Sequence, residues 1–195
     1  MTDGPEKDKV RNLEGTVLSD AWARLTRYSF DLRQSDGQWD SQTREIYDRQ
    51  DGVAVLPYDA GRGTVLLVRQ FRLPGYLKGG ETALIEACAG MLDETDPADR
   101  IRLEAEEELG YRLHALERAF GFYVSPGSVT ERITCFTARY TPADQVSDGG
   151  GKADEGEDIE VLEMPLDEAL GLVRSGDIRD AKTIALIQHV KLSLG

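Results

Sequence analysis

Cysteine is scarce in this chain. Among 195 residues only Cys88 and Cys135 occur, far apart and each in an apolar stretch. That excludes a disulfide-stapled scaffold and predicts two buried thiols in a reducing compartment. The two histidines, His114 and His189, are equally isolated, so no Cys/His zinc spacing exists. No apolar run approaches the length of a membrane span. The first fifteen residues, MTDGPEKDKVRNLEG, are polar and mixed in charge, unlike a signal peptide, and a cytoplasmic location is expected. Basic residues are outnumbered, with 23 Lys and Arg against 36 Asp and Glu. A general nucleic-acid binder or a protein of anionic membrane surfaces needs the opposite balance. There is no GxSxG elbow and no GxxxxGK[ST] loop, so Gly-Gly-Gly-Lys at 149–152 is not a phosphate loop. No internal repeat is visible.

What is present is acid, unevenly placed. The net charge is −13. Residues 93–108 hold eight acids and two bases, and residues 148–163 hold seven acids and one base. Outside these two windows the chain is close to neutral. Forty per cent apolar and 30 per cent charged residues suit a soluble globular domain with a real core.

The pattern predicts a small N-terminal antiparallel sheet within residues 1–51 and a main domain over 52–195. Residues 1–12 read as a flexible arm, 17–33 and 39–49 as strands. A sheet that small is marginal alone, and a second subunit is a plausible packing partner. In the main domain, strands are expected at 53–59 and 64–72 around the loop 60–63, then a loop at 73–82 and a strand at 83–90. Asp96 is a good helix N-cap, Pro97 suits the first helical position, and Gly110 is a stop signal. Ile101, Ala105 and Leu109 recur at i, i+4, i+8 and predict one buried stripe. Strands follow at 115–127, 131–140 and 158–164, with helices at 166–174 and 181–194. The order predicts an α/β fold, a mixed sheet with helices packed on it.

Glu104, Glu107 and Glu108 fall at i, i+3 and i+4 on that helix, so they are neighbours on one side. Like charges so placed destabilise a helix unless compensated, and a hard divalent cation bound through carboxylate oxygens is one compensation. An acidic helix face in water needs no ligand, and that plainer reading stands beside it. An EF-hand loop is not present.

Gly90, Asp96, Glu104, Ala105, Glu107, Glu108, Gly110 and Tyr111 resemble the Nudix box. Asp96 stands for the box's first glutamate, Leu103 for its arginine, and the span between the glycines is one residue short. Pro126 lies sixteen residues after Gly110, similar to the nucleotide-sugar pyrophosphatase branch. TREIYDR (43–49), LLVRQFR (66–72), LIEACAG (84–90), YVSPGSVTE (123–131), EDIEVLEMP (157–165) and GDIRDAKT (176–183) resemble its GDP-mannose-hydrolysing members.

The resemblance implies a Nudix-type α/β/α sandwich and Mg²⁺-dependent hydrolysis, with Mn²⁺ as a substitute ion. The implied substrate is a nucleoside diphosphate sugar, first GDP-mannose giving GMP and mannose 1-phosphate. ADP-ribose is the alternative substrate, and a non-hydrolysing nucleotide-sugar sensor the alternative role. The implied metal ligands are the Ala89 carbonyl, Glu104, Glu108 and Glu157. Glu107 and Glu108 join Glu157 or Glu155 as catalytic carboxylates, the choice between the last two staying open. Implied substrate contacts are Trp22, Arg44, Glu45, Arg72, Gly90, Met91, Glu131 and Lys182, with Arg44 and Glu45 supplied across a homodimer built on the N-terminal sheet. Without the resemblance, Arg72 reads equally as an exposed strand-end arginine and Trp22 as a core residue.

Overall fold

Alternating apolar residues on two adjacent strands organise the main body of this protein. The computed structural model describes residues 9–152 and 156–194. Contacts divide the chain into two compact units: Met1–Gln50 with Tyr123–Arg132, and Asp51–Phe122 with Ile133–Gly195.

The first unit is built on a three-stranded antiparallel sheet, β1 (Val10–Asp20), β2 (Arg24–Arg33) and β3 (Trp39–Asp48), in that order. Strand β1 starts at Val10, inside the segment expected to be a flexible arm. Its pairing with β2, from Val10 opposite Leu32 to Asp20 opposite Arg24, supplies the missing order. Every residue of β1 is exposed, including Val10, Leu13, Val17 and Leu18. The backbone of Tyr47 bonds that of Ser128 at 2.8 Å and tethers the 123–132 segment to this unit.

In the second unit β4 (Gly52–Asp59) and β5 (Thr64–Gln70) lie at the centre of a seven-stranded mixed sheet. Around them run β10 (Glu160–Pro165), β9 (Arg132–Arg139) and β8 (Leu116–Tyr123), in the order β10-β5-β4-β9-β8. The short strands β6 (Leu84–Glu86) and β7 (Cys88–Met91) pair with β5 and β4. β4 runs parallel to β9, and its other pairings are antiparallel. Strand pleating sends successive side chains to opposite faces. Val53, Val55, Leu66 and Val68 therefore enter one core with Ile101, Ala105 and Leu109. Ala54, Leu56, Val65 and Leu67 enter the other with Ala169, Leu186, Ile187 and Val190. The first core carries α2 (Pro97–Glu104), the second α3 (Leu166–Ser175) and α4 (Ala181–Leu194). This is the expected α/β/α sandwich.

Three local expectations are corrected. Residues 73–79, expected as loop, form α1 (Leu73–Gly79), because Pro74 sits in the first turn, where it is tolerated, and Gly80 closes the helix in the left-handed region. The strand expected over 83–90 breaks at Ala87, whose N–H turns to Thr183 Oγ1 at 2.7 Å. The acidic helix is not α-helical throughout. α2 ends at Glu104 and Ala105–Leu109 continue as a π-helical turn.

Gly171 lies exposed in the middle of α3, with nothing within 4 Å of the position a Cβ would take. Gly171→Ala is expected to raise stability by roughly 0.5–1 kcal/mol, because alanine restricts the unfolded chain and favours helix. A urea titration with an unchanged m-value checks it.

Candidate active site

The acidic helix begins as its sequence dictates. Asp96 Oδ1 accepts from the Ala98 N–H at 2.9 Å, and Pro97 follows it. Ile101, Ala105 and Leu109 are fully buried, which turns Glu104 and Glu108 inward as well. Both carboxylates are almost out of solvent, at 6 and 3 per cent exposure. The π turn belongs at such a place, since the extra residue per turn re-aims side chains at functional sites.

Glu108 is held by backbone and thiol. The Ala89 N–H donates to its Oε2 at 3.3 Å, and the Cys88 thiol also donates to the carboxylate. Burial pushes the Glu108 carboxyl up to about 7, and the neighbouring charges of Glu104 and Glu157 push the same way. Glu104 is raised too, first by burial, with Glu107 and Glu157 adding to it and Arg100 opposing. Gly90 is needed beside it, because a Cβ there would collide with the Glu104 carboxylate. Glu107 instead pairs with Lys152 Nζ at 2.9 Å.

The second acidic patch docks onto the first. Gly149, Gly150 and Gly151 all have positive φ, and their loop lies against the π turn. The Gly150 N–H donates to Glu108 O at 2.9 Å and that of Gly151 to Glu107 O at 3.0 Å. The Lys152 N–H then donates to Glu157 Oε2 at 2.9 Å. Glu155, the alternative to Glu157, lies outside the described residues.

Two cations meet on Glu86, and the charge of Glu108 reaches one of them, Arg72. Arg72, just past β5, and Lys182, in the first turn of α4, both bond Glu86. A cleft of about 640 Å³ runs between Arg69–Arg72 and Gly156–Glu160, so Arg72 and Glu157 line one opening. The second unit therefore gathers Arg72, Ala89, Gly90, Met91, Glu104, Glu107, Glu108, Glu157 and Lys182. Met91 is exposed at the end of β7.

Trp22, Arg44, Glu45 and Glu131 belong to the first unit. Trp22 is 69 per cent exposed, which removes the core reading, and the Arg49 guanidinium stacks on its ring at 4.8 Å. Glu131 lies 3.5 Å from Arg49. Arg44 bonds Thr43 O and Gln42, and Glu45 pairs with Arg27.

Three side chains were missed by sequence reasoning. Arg100 pairs with Glu104 from one turn back, three residues before the box arginine's place at Leu103. Lys152 closes onto Glu107. Glu86 is a lone acid in an apolar strand, and that was its signal, since a buried carboxylate demands partners.

Among the described residues no three His, Cys, Asp or Glu side chains converge as a ready-made metal cage. Arg100 and the Lys152 amide already engage Glu104 and Glu157. The set nonetheless fits a hard divalent ion. It consists of oxygen donors, and the charge of Glu157 raises the proton affinity of both Glu104 and Glu108, as Glu104 does that of Glu108. A cation would remove that repulsion.

This fold and this carboxylate helix define the class. A family model described as NUDIX domain matches residues 48–187, and the chain belongs to that family. A second model, described as the GDP-mannose pyrophosphatase NudK N-terminal domain, matches residues 9–47. The chain is similar to the GDP-mannose pyrophosphatase of Pectobacterium atrosepticum, 48 per cent identical over 178 residues and 91 per cent of each chain. The GDP-mannose pyrophosphatase of Cronobacter sakazakii is 47 per cent identical over 94 per cent of this chain and 95 per cent of its own. That of Yersinia pestis is 43 per cent identical over 94 and 92 per cent. A crystal structure of an ADP compounds hydrolase shares the fold, with a TM-score of 0.73 at 19 per cent identity over 99 per cent of this chain and 97 per cent of that one.

Proposed function

We propose that this protein is a cytoplasmic, Mg²⁺-dependent nucleoside diphosphate-sugar pyrophosphatase that hydrolyses GDP-mannose to GMP and mannose 1-phosphate. The observation that carries it is one cleft lined by Arg72 and Glu157, with the buried carboxylates Glu104 and Glu108 close enough to Glu157 to feel its charge. Similarity to GDP-mannose pyrophosphatases along more than nine-tenths of the chain selects the substrate.

The Ala89 carbonyl, Glu104, Glu108 and Glu157 would hold the metal. When bound, it supplies charge neutralisation for the pyrophosphate and a lowered pKa for water. Arg72 and Lys182 seat phosphate oxygens, and Gly90 and Met91 offer backbone beside them. Glu157 or Glu155 accepts the proton as a water oxygen attacks phosphorus and the bridging P–O bond breaks. Glu107, paired with Lys152, keeps the loop carrying these acids on the helix. Trp22 presents a free aromatic face for the base, stiffened from behind by Arg49. Arg44, Glu45 and Glu131 contact the nucleotide sugar, the first two across a homodimer. The exposed, apolar edge strand β1 supports that homodimer, since such an edge favours covering by a second chain.

The test is a panel of GDP-mannose, ADP-ribose and other nucleotide sugars with Mg²⁺, Mn²⁺ or chelator. GDP-mannose is expected to have the highest kcat/KM, with products GMP and mannose 1-phosphate and no turnover in chelator. Preference for ADP-ribose would reassign the substrate. Binding without turnover would make the protein a sensor, although Arg100 beside Glu104 removes the departure at Leu103 as a reason to expect one.

A further inference from the structure

Glu86 ends β6 with 3 per cent of its surface exposed. A buried carboxylate is unfavourable unless its oxygens are paired. Here the pairing is complete and two-sided. Arg72 donates Nε to Oε1 at 2.9 Å and Nη2 to Oε2 at 3.2 Å, while Lys182 Nζ donates to Oε2 at 2.9 Å. Burial opposes the charge on Glu86, but Lys182 and Arg72 outweigh it and hold the carboxyl below its usual range.

The partners are only partly consumed. Arg72 uses one edge of its fork on Glu86, and Nη1 has no partner among the described residues. Its side chain is 42 per cent exposed and lines the cleft. Lys182 gives one proton to Glu86 and one to Asp180, leaving a third. A two-point contact fixes the plane of a guanidinium, which a single contact does not. Glu86 is itself fixed by the sheet, opposite Val68 in the pairing of β6 with β5. An arginine at a cleft rim needs no buried acid to stay charged. A buried acid that grips it by one edge aims the other edge.

We propose that Glu86 is a positioning residue that sets Arg72 and Lys182 as a two-cation seat for the anionic bridge of a nucleoside diphosphate. The proposal rests on the pyrophosphatase reading and deepens it. Glu86 itself touches no substrate. It acts by reducing the ordering that binding would otherwise require of two long side chains.

The experiment is steady-state kinetics on GDP-mannose at saturating Mg²⁺ for the wild type, Glu86→Gln, Arg72→Ala and the double variant. Glu86→Gln is expected to raise KM by about tenfold, the value of one charge-assisted contact, with kcat changed less. In the double variant the KM effect is expected to fall short of the product of the two single effects, because both act through one contact. An unchanged KM in Glu86→Gln, or effects that multiply, overturns the proposal. If Glu86→Gln fails to fold by circular dichroism, Glu86→Asp decides on the same KM criterion, since it keeps the charge but shortens the two-point grip. A wild type that turns over no nucleotide sugar would instead remove the pyrophosphatase reading.

Discussion

Glu108→Gln is expected to lower kcat by about two to four orders of magnitude, the range for removing a positioned catalytic group, while raising the stability of the metal-free protein. The two effects have one cause. Glu108 is buried among Glu104 and Glu157, and its carboxyl titrates near 7 instead of 4.5. Below pH 4.5 it is protonated in both folded and unfolded chains and contributes nothing. Between 4.5 and 7 the unfolded chain releases the proton while the folded chain keeps it, so wild-type stability falls as pH rises. Above 7 the folded chain carries the full cost, at most about 3 kcal/mol by linkage. Glutamine keeps the size and a carbonyl oxygen for the Ala89 N–H, but has no charge to bury. In chelator, the advantage of the variant should therefore grow from pH 4.5 to 7 and then level off. With excess divalent ion the order should reverse, because the wild type gains stability from a ligand that the variant binds poorly. Thermal melts in chelator and in Mg²⁺, run beside the kinetic assay, measure both. Equal kcat, or a variant less stable in chelator at pH 8, would remove Glu108 from the proposed metal set.

The features that were readable from sequence are those whose cause is local. Asp96 and Pro97 announce a helix start because a short acceptor and a fixed φ act within three residues. Ile101, Ala105 and Leu109 announce the buried face because periodicity is a local property. The hairpin at 60–63 and the alternating strands around it are of the same kind. The π turn was not readable, since Glu104, Glu107 and Glu108 have the same spacing whether or not one residue is added per turn. What decides it are carbonyls of Glu107 and Glu108 bonded by amides more than forty residues away in sequence. Glu86 belongs to this second kind. Its partners come from the end of β5 and the start of α4, and only the tertiary fold brings them together. Glycine was misjudged once. The glycine-containing segment 73–82 read as loop, yet residues 73–79 form α1, which Gly80 closes in the left-handed region. At 149–151 the sequence showed three glycines but not the close backbone approach of Gly149 to Glu108 and Leu109 that only the fold reveals.

Gly110→Ala is the expected second large loss, and Gly176→Ala is its control. Both glycines close a helical segment in the left-handed region, with φ 78 and ψ 17 at Gly110 and φ 84 and ψ 17 at Gly176. The conformational strain of adding a Cβ is therefore nearly the same at each, about 1–2 kcal/mol. Their surroundings differ. Nothing lies within 4 Å of a Cβ at Gly176, whereas at Gly110 it would strike the Ser147 carbonyl and lie 2.7 Å from the Gly149 N. These are backbone atoms, which cannot rotate away as a side-chain end does. The loop must lift, and with it go the bonds from Val146 N to Gly110 O at 2.7 Å, from Gly150 N to Glu108 O and from Gly151 N to Glu107 O. Gly110→Ala should cost roughly 3–4 kcal/mol, left-handed strain plus a broken loop contact. It should also lower kcat, because the Lys152 N–H on that loop holds Glu157, which lines the cleft. Gly176→Ala should lose only the strain and keep full activity. Urea unfolding of both variants separates the collision from the strain, and limited proteolysis should cut near 147–152 only in Gly110→Ala. Equal losses in the two would mean that the glycine loop is not anchored on the acidic helix, and that the two acidic patches do not act as one site.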